Sequence, residues 1–144
     1  MPRALVDTTV LFAAAYRQDG SHDDALPILH GIDDGTLPEA VVLDYVLAET
    51  LHGLVTHAGH ETAVDFLDRI EANPRFHLDA LTTDAFATGK AAFRQHDPLS
   101  FVDACLVAYL HAEGLGYLYA FDDDFDAIDG VSRLDTATNP YDPI

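Results

Sequence analysis

The segment Ala4-Leu5-Val6-Asp7-Thr8-Thr9-Val10-Leu11 joins a short apolar strand to a helix through one acidic residue. Its apolar start has the length and composition of a buried strand. Thr8 or Thr9 can cap a following helix that runs to about Arg17. A carboxylate is costly among apolar residues unless it is hydrogen-bonded, paired or bound to a cation. Asp7 therefore marks a candidate functional position at the carboxyl end of the first strand.

Short strands continue to alternate with longer helices along the rest of the chain. Apolar or alternating segments predict strands, and amphipathic segments bounded by capping residues, glycine or proline predict helices. The further strands are predicted at residues 40–43, 75–81, 116–121 and 131–134, and the further helices at 23–33, 45–57, 60–72, 83–95 and 100–112. This order predicts an α/β fold with a mostly parallel sheet, and the length predicts one domain over residues 1–144.

Four acidic residues stand out because each lies in a segment that should fold around an apolar core. Asp7 and Asp122 each follow a predicted strand, and Glu49 lies about one turn inside a helix. Asp103 lies in the first turn of the strongly apolar helix before the fourth strand. In open α/β sheets, binding sites form outside the carboxyl ends of the strands. We therefore expect these four carboxylates to meet at one edge of the sheet.

Carboxylate oxygens are the ligands that Mg²⁺ and Mn²⁺ prefer. Such ions can activate water and stabilise the attacking and leaving oxygens in phosphodiester hydrolysis. Eight histidines are present, but the nearest pair, His57 and His60, lacks a zinc-binding frame and cysteine partners. The sequence therefore favours hydrolysis assisted by Mg²⁺ or Mn²⁺ over zinc chemistry.

Each of these acids also has a purely structural interpretation. Ser100 and Asp103 have the spacing of a capping box, and Asp7 can cap the helix that follows it. Glu49 can be an exposed helix residue, and the run that begins at Asp122 can be an acidic surface turn. The functional hypothesis depends on the joint placement of the four residues.

Acidic residues dominate the charge of the chain. Its 25 acidic and 7 basic residues give a formal net charge of −18, and 20 of the acids are aspartates. The acids are dispersed through a chain that is 49% hydrophobic, which excludes a disordered acidic class. Repulsion between such charges is largely screened at about 1 M salt, where the Debye length is about 3 Å. The composition therefore resembles that of halophilic cytosolic proteins.

The sequence also predicts a cytoplasmic location without a membrane partner. No apolar run approaches the roughly 20 residues of a membrane span. The N-terminal residues do not form a signal peptide, and the one cysteine, Cys105, excludes an internal disulfide.

Four segments, in their order and spacing, resemble a PIN domain, most closely the VapC-type toxin ribonucleases of prokaryotic toxin–antitoxin pairs. The matching segments are residues 5–11, 47–51, 99–104 and 121–125. The resemblance implies a three-layer α/β/α sandwich and Mg²⁺- or Mn²⁺-dependent cleavage of RNA. It also implies a homodimer that is neutralised by a small antitoxin protein.

The resemblance also implies roles for particular residues. The catalytic acids would be Asp7, Glu49, Asp103 and Asp122, and the metal ligands would be Asp7, Asp103 and Asp122, with Asp124 as an additional or substitute ligand. Thr8 and Ser100 would support them. The chain departs from many relatives at Ala120, where they carry serine or threonine, and the choice between Asp122 and Asp124 stays open.

The negative charge of the chain raises the question of how it would bind RNA, which proteins usually contact through lysine and arginine. We expect the metal to supply the central attraction and Arg17 and Arg94 to contact backbone phosphates near the rim. The alternative function is a catalytically inactive PIN-fold module that binds RNA or protein.

Overall fold

Five parallel strands form one sheet in the computed structural model, which describes residues 2–142. The strands are β1 (Arg3–Val6), β2 (Glu39–Leu43), β3 (Phe76–Asp79), β4 (Tyr117–Tyr119) and β5 (Ser132–Leu134). Their spatial order is β3-β2-β1-β4-β5. All five were predicted, although β3 and β4 are shorter than expected.

Six α-helices connect these strands, followed by a short 3₁₀ helix, Asp123–Ala127, between β4 and β5. The helices are α1 (Thr8–Ala15), α2 (His22–Asp34), α3 (Asp44–Ala58), α4 (His60–Ala72), α5 (Thr83–Gln95) and α6 (Phe101–Ala112). Their number and approximate positions agree with the prediction. None of the helices within residues 2–142 combines the length and the apolar character that crossing a membrane requires.

The chain order places the helices in two layers. From β1 the chain moves through β2 to the β3 edge, and it then returns across the sheet to β4 and β5. Because parallel crossovers are right-handed, α1 to α4 cover one face, and α5 and α6 cover the other. The packing agrees, since α1 contacts α2 and α3, α3 contacts α4, and α5 contacts α6. The predicted three-layer α/β/α fold with a parallel sheet is therefore confirmed.

The reversal of strand order falls between β1 and β4, which are neighbours in the sheet. Their register pairs Leu5 with Leu118 and Val6 with Tyr119, so both strands end at the same level. The backbone N–H of Asp7 extends this pairing by donating to the Tyr119 carbonyl at 2.9 Å. Such a reversal opens a crevice at the carboxyl ends of the strands, where ligands bind in open α/β sheets.

The sequence predicts that Thr8 or Thr9 caps α1, that Ser21 caps α2 and that Asp44 caps α3, and the structure corrects all three. Asp7 itself caps α1, in place of Thr8 or Thr9. Ser21 precedes α2 but makes no side-chain capping bond. Asp44 does not cap α3, because that helix begins at Asp44 and the carboxylate accepts hydrogen bonds from the Tyr45 and Leu81 amides. Short polar side chains can bond several nearby backbone groups, so sequence alone did not decide among them.

Candidate active site

The site begins at Asp7, which lies directly after β1 and is 2% exposed. Its carboxylate oxygen Oδ2 accepts hydrogen bonds from the Thr9 hydroxyl at 2.7 Å and the Thr9 amide at 3.3 Å. Burial raises the pKa of Asp7, and these hydrogen bonds oppose that rise. The structural interpretation is therefore correct, since Asp7 does cap α1, but the cap does not remove the desolvation that raises the pKa of this buried carboxylate.

Asp103 lies in the first turn of α6 and lines the same site as Asp7. Residues 103–110 of this helix are all buried. The backbone amide of Asp103 donates to the Ser100 hydroxyl at 3.1 Å, which confirms the predicted cap. Asp103 is only 8% exposed. Burial, followed by the negative charge of Asp7, raises the pKa of Asp103 to about 7, and the charges of Asp122 and Glu49 add to the effect. The capping group is therefore the Ser100 hydroxyl, and Asp103 contributes its backbone amide to the cap.

Glu49 and Asp122 complete the predicted set from two further elements. Glu49 is an exposed residue of α3, and Asp122 is a half-buried residue at the start of the 3₁₀ helix. The Asp122 carboxylate accepts a hydrogen bond from the Asp124 amide at 2.9 Å. Because Glu49 and Asp122 both affect the pKa of Asp103, the four acids form one electrostatic cluster.

These side chains line an open cavity of about 540 Å³ at the carboxyl end of the sheet. Its lining contains Asp7, Thr8, Glu49, Ser100, Asp103 and Asp122 from the predicted set, together with Thr9, Phe12, Asp19, Ser21 and Phe121. Thr9 and Asp19 were missed by sequence reasoning. The Asp-x-Thr spacing of Asp7 and Thr9 is a local signal for the first, whereas the loop position of Asp19 gave none.

Asp124 lies beside this cavity, and its side chain does not line it. Within residues 2–142, the one group of three acidic side chains whose oxygens all lie within 4.8 Å of one another is nevertheless Asp122, Asp123 and Asp124. The negative charge of Asp122 raises the pKa of Asp124. The structure therefore brings Asp122 into the cavity with Asp7 and leaves Asp124 at its margin.

The residues of the cavity suit a divalent cation. Of the buried side-chain oxygen and nitrogen atoms within residues 2–142, only the Thr8 hydroxyl oxygen lacks a hydrogen-bond partner. Thr8 is a lining residue of the cavity in which the carboxylates of Asp7 and Asp103 have raised pKa values. A bound cation stabilises crowded carboxylates, and its water ligands can satisfy a nearby hydroxyl. An all-oxygen donor set is the kind that Mg²⁺ and Mn²⁺ prefer.

The two arginines predicted to bind RNA lie outside this lining. Arg94 is exposed on α5, and Arg17 lines a larger groove of about 850 Å³ between α2 and α4. That groove has an apolar floor that includes Leu29, Phe66 and Ile70. Its lining also contains three of the seven basic residues, Arg17, Arg69 and Arg75, and two acids, Asp33 and Asp65, of which Asp65 pairs with Arg69 at 3.2 Å.

The PIN domain family matches residues 4–131. The chain belongs to this family. Among solved structures it is similar to VapC20 from Mycobacterium tuberculosis, described as a toxin that cleaves the sarcin–ricin loop. The identity is 28%, the TM-score is 0.75, and the match covers 86% of this chain and 93% of VapC20.

Two other similar structures show likeness of fold. A toxin–antitoxin complex from Klebsiella pneumoniae is 19% identical with a TM-score of 0.62, covering 90% of this chain and 95% of the other. VapBC2 from Rickettsia felis, bound to a promoter DNA fragment, is 14% identical with a TM-score of 0.70, covering 92% and 97%. A search among curated proteins gave no match.

Proposed function

We propose that this protein is a Mg²⁺- or Mn²⁺-dependent endoribonuclease and the toxin of a toxin–antitoxin pair. The observation that carries the proposal is the meeting of Asp7, Glu49, Asp103 and Asp122, from four separate elements, in one cavity where β1 and β4 end. The likeness to VapC20, an RNA-cleaving toxin, supports the same function. The same likeness supports the proposal that this protein is a VapC-type member of the PIN family.

In this proposal Asp7, Asp103 and Asp122 hold the cation, and Asp124 at the margin is the substitute ligand. When bound, the cation would supply positive charge that stabilises the phosphate and would activate a water for attack on phosphorus. Asp103 or Glu49 orients that water, and the exposed position of Glu49 leaves it free to contact solvent or substrate. Thr8 offers an unpartnered hydroxyl, and Ser100 fixes the start of α6 and thereby the position of Asp103.

The double variant Asp7→Asn with Asp103→Asn tests this site. Single-stranded RNA would be incubated with wild type and variant in about 1 M salt, where surface repulsion is screened, while Mn²⁺ is titrated. We expect cleavage to be lost in the variant. Asp68→Asn, which changes an exposed acid of α4, makes the control for altered charge. Unchanged cleavage by the double variant would refute the proposed site.

The same assay distinguishes the nuclease from the alternative function, an inactive PIN-fold module that binds RNA or protein. Such a module would bind RNA in a gel-shift experiment and leave it intact at every Mn²⁺ concentration. The four acids in one cavity favour the nuclease, because clustered, partly buried carboxylates are costly unless they hold a cation or take part in a reaction.

We propose that Arg17 and Arg94 contact RNA phosphates beyond the cavity. They lie on opposite layers of the fold, so a strand bound at the acids would have to extend in both directions to meet them. Each phosphate contact that is lost should weaken binding and reduce its dependence on salt. Arg17→Ala and Arg94→Ala would be measured separately, and unchanged RNA affinity in both would refute these contacts.

The groove between α2 and α4 is the proposed docking surface for the antitoxin. It borders the cavity, because Ser21 lines the cavity and the next residue, His22, lines the groove. A partner segment with apolar side chains would match the apolar lining, and its acidic side chains would contact Arg17 and compete with Asp65 for Arg69. Its approach along the groove would bring it beside the acids, so one partner could both anchor to the protein and block the site.

The antitoxin is expected as a small protein encoded in a neighbouring reading frame. Arg69→Glu in the groove should weaken its capture by the purified toxin, whereas Arg94→Glu on α5 should not. Equal capture by both variants would exclude the groove as the docking surface.

We also propose that the protein is a cytoplasmic, halophilic homodimer. The α5 face suits contact between two copies, because Phe93 is 47% exposed there and lies edge-on to Phe101, with ring centroids 5.7 Å apart. This helix is also one of the less acidic ones, since Asp84 is the one acidic residue between positions 83 and 95. Sedimentation in about 1 M salt should show a dimer for wild type and a monomer for Phe93→Asp. A wild-type monomer at all concentrations would refute the dimer.

A further inference from the structure

Thr9 joins two parts of the site that are 112 positions apart in sequence. Its hydroxyl donates to Oδ2 of Asp7 at 2.7 Å, and its oxygen accepts from the backbone amide of Phe121 at 3.1 Å. An amide N–H can only donate, so the hydroxyl oxygen must be the acceptor in the second bond. The single hydroxyl proton then remains available for the carboxylate. The two bonds are therefore compatible and have defined directions.

The first bond restricts how the Asp7 carboxylate can rotate. The amide of Thr9 donates to the same oxygen, Oδ2, at 3.3 Å, so two donors from one residue hold that atom. Neither of these bonds uses Oδ1. A carboxylate held through one oxygen presents the other oxygen in a fixed direction, which is how hydrogen-bonded partners orient metal ligands.

The second bond holds the backbone directly before Asp122. Strand pairing places Tyr119 beside Val6, and the Ala120 amide still bonds to the Leu134 carbonyl at 3.0 Å. The Phe121 amide lies beyond this pairing, and its acceptor is the Thr9 side chain. The position of Asp122 relative to Asp7 is therefore set by a side chain of α1 in addition to the sheet.

We infer that Thr9 is a positioning residue that fixes the Asp7 carboxylate and the Asp122 backbone in the separation that a shared cation requires. The inference rests on the proposed function, in which both acids hold the cation, and it adds a residue that acts through them. Thr8 differs, because it lines the cavity and its buried hydroxyl has no hydrogen-bond partner.

The chain contains a matched control for this arrangement. Asp34 and Thr36 repeat the Asp-x-Thr spacing, and the Thr36 amide and hydroxyl bond to Oδ1 of Asp34 at 2.9 and 2.8 Å. This pair is exposed and does not line the acidic cavity. Thr36→Val therefore removes the same local hydroxyl–carboxylate bond without affecting the connection between β1 and β4.

The test is the affinity for Mn²⁺, measured by calorimetry on the purified full chain in about 1 M salt. Thr9→Val keeps the shape of the side chain and removes the hydroxyl, whereas Thr9→Ser keeps the hydroxyl. Loss of a residue that orients a metal ligand typically weakens binding about 10- to 100-fold, which we expect for Thr9→Val. Thr9→Ser and Thr36→Val should bind Mn²⁺ as the wild type does.

Wild-type affinity in Thr9→Val would overturn the inference, as would equal weakening in Thr9→Val and Thr9→Ser, since that would indicate packing. Thr9→Ala provides a second hydroxyl-free variant, and circular dichroism monitors folding. If both hydroxyl-free variants unfold and Thr9→Ser does not, the role is structural and the inference fails. A wild type that binds Mn²⁺ without cutting RNA would overturn only the proposed function, because calorimetry measures Thr9 independently of cleavage.

Discussion

Replacing Asp103 with asparagine should stabilise the metal-free protein above neutral pH, although under the proposed function it removes a metal ligand. Burial and the charge of Asp7 raise the pKa of Asp103 from 3.8 to about 7. The folded state therefore binds a proton more tightly than the unfolded chain does. The stability associated with this proton is fully present below about pH 4 and is lost as the pH rises through about 7. Asparagine has no such proton to lose.

The size of the effect follows from the shift in pKa. About three pH units at roughly 1.4 kcal/mol each give an upper limit of roughly 4 kcal/mol for the cost of ionised Asp103. Relaxation of the cavity and entry of water should reduce this to roughly 2–4 kcal/mol. The cap of α6 should survive, because its donor is the backbone amide of residue 103 and not the carboxylate.

The assay is denaturant unfolding at pH 5 and pH 8 in about 1 M salt with a chelator present. The free energy of unfolding of Asp103→Asn should exceed that of wild type at pH 8, and the difference should shrink at pH 5. Asp68→Asn makes the same change in net charge at an exposed position and should show no such dependence. A difference of equal size at both pH values, or a variant less stable than wild type at pH 8, would refute the reasoning.

Three further predictions concern the ligands, the packing and the surface charge. Asp122→Asn should weaken Mn²⁺ binding in calorimetry more than Asp124→Asn does, because only Asp122 lines the cavity; the reverse order would make Asp124 the ligand. Gly89→Ala should lower the free energy of unfolding by about 1–3 kcal/mol through overpacking, because its Cβ would lie 2.9 Å from Cys105 Sγ and 3.2 Å from Cys105 Cα. Gly20→Ala, which meets no atom within 4 Å, is the control. Wild-type protein should lose thermal stability as salt falls from about 1 M to 0.1 M, because the Debye length grows from about 3 to 10 Å; unchanged stability would contradict the halophilic interpretation.

Much of the fold was predictable because its strands and helices have strong local signals. Residues 4–6 and 40–43 are apolar, and each stretch is followed by an aspartate at the start of a helix, which indicates parallel strands. Helix α6 was also predictable, although residues 103–110 are buried on all sides and have no amphipathic period. Its length and its serine cap identified it as a helix.

The predicted convergence of the four acids followed from topology, because strand ends and the first turns of helices meet at one edge of a parallel sheet. The topology does not predict the individual side-chain contacts around these four acids. Thr9 illustrates the limit, since one hydrogen bond of its hydroxyl group is to the amide of Phe121, which lies far away in sequence. Asp19 illustrates it also, since it reaches the cavity through the irregular loop between α1 and α2.

The acids of this chain divide into two physical classes that respond to different ions. Most are exposed, and monovalent salt screens their mutual repulsion at distances beyond the Debye length. Asp7 and Asp103 are buried beside each other, where such screening is weak, so molar salt can support the fold without relieving this pair. Only a proton or a closely bound cation can do so. Micromolar to millimolar Mn²⁺ should therefore stabilise the wild type in molar salt and leave the Asp7→Asn, Asp103→Asn double variant unchanged in a thermal unfolding assay. Equal stabilisation of both proteins would place the bound ion on the acidic surface and not in the cavity.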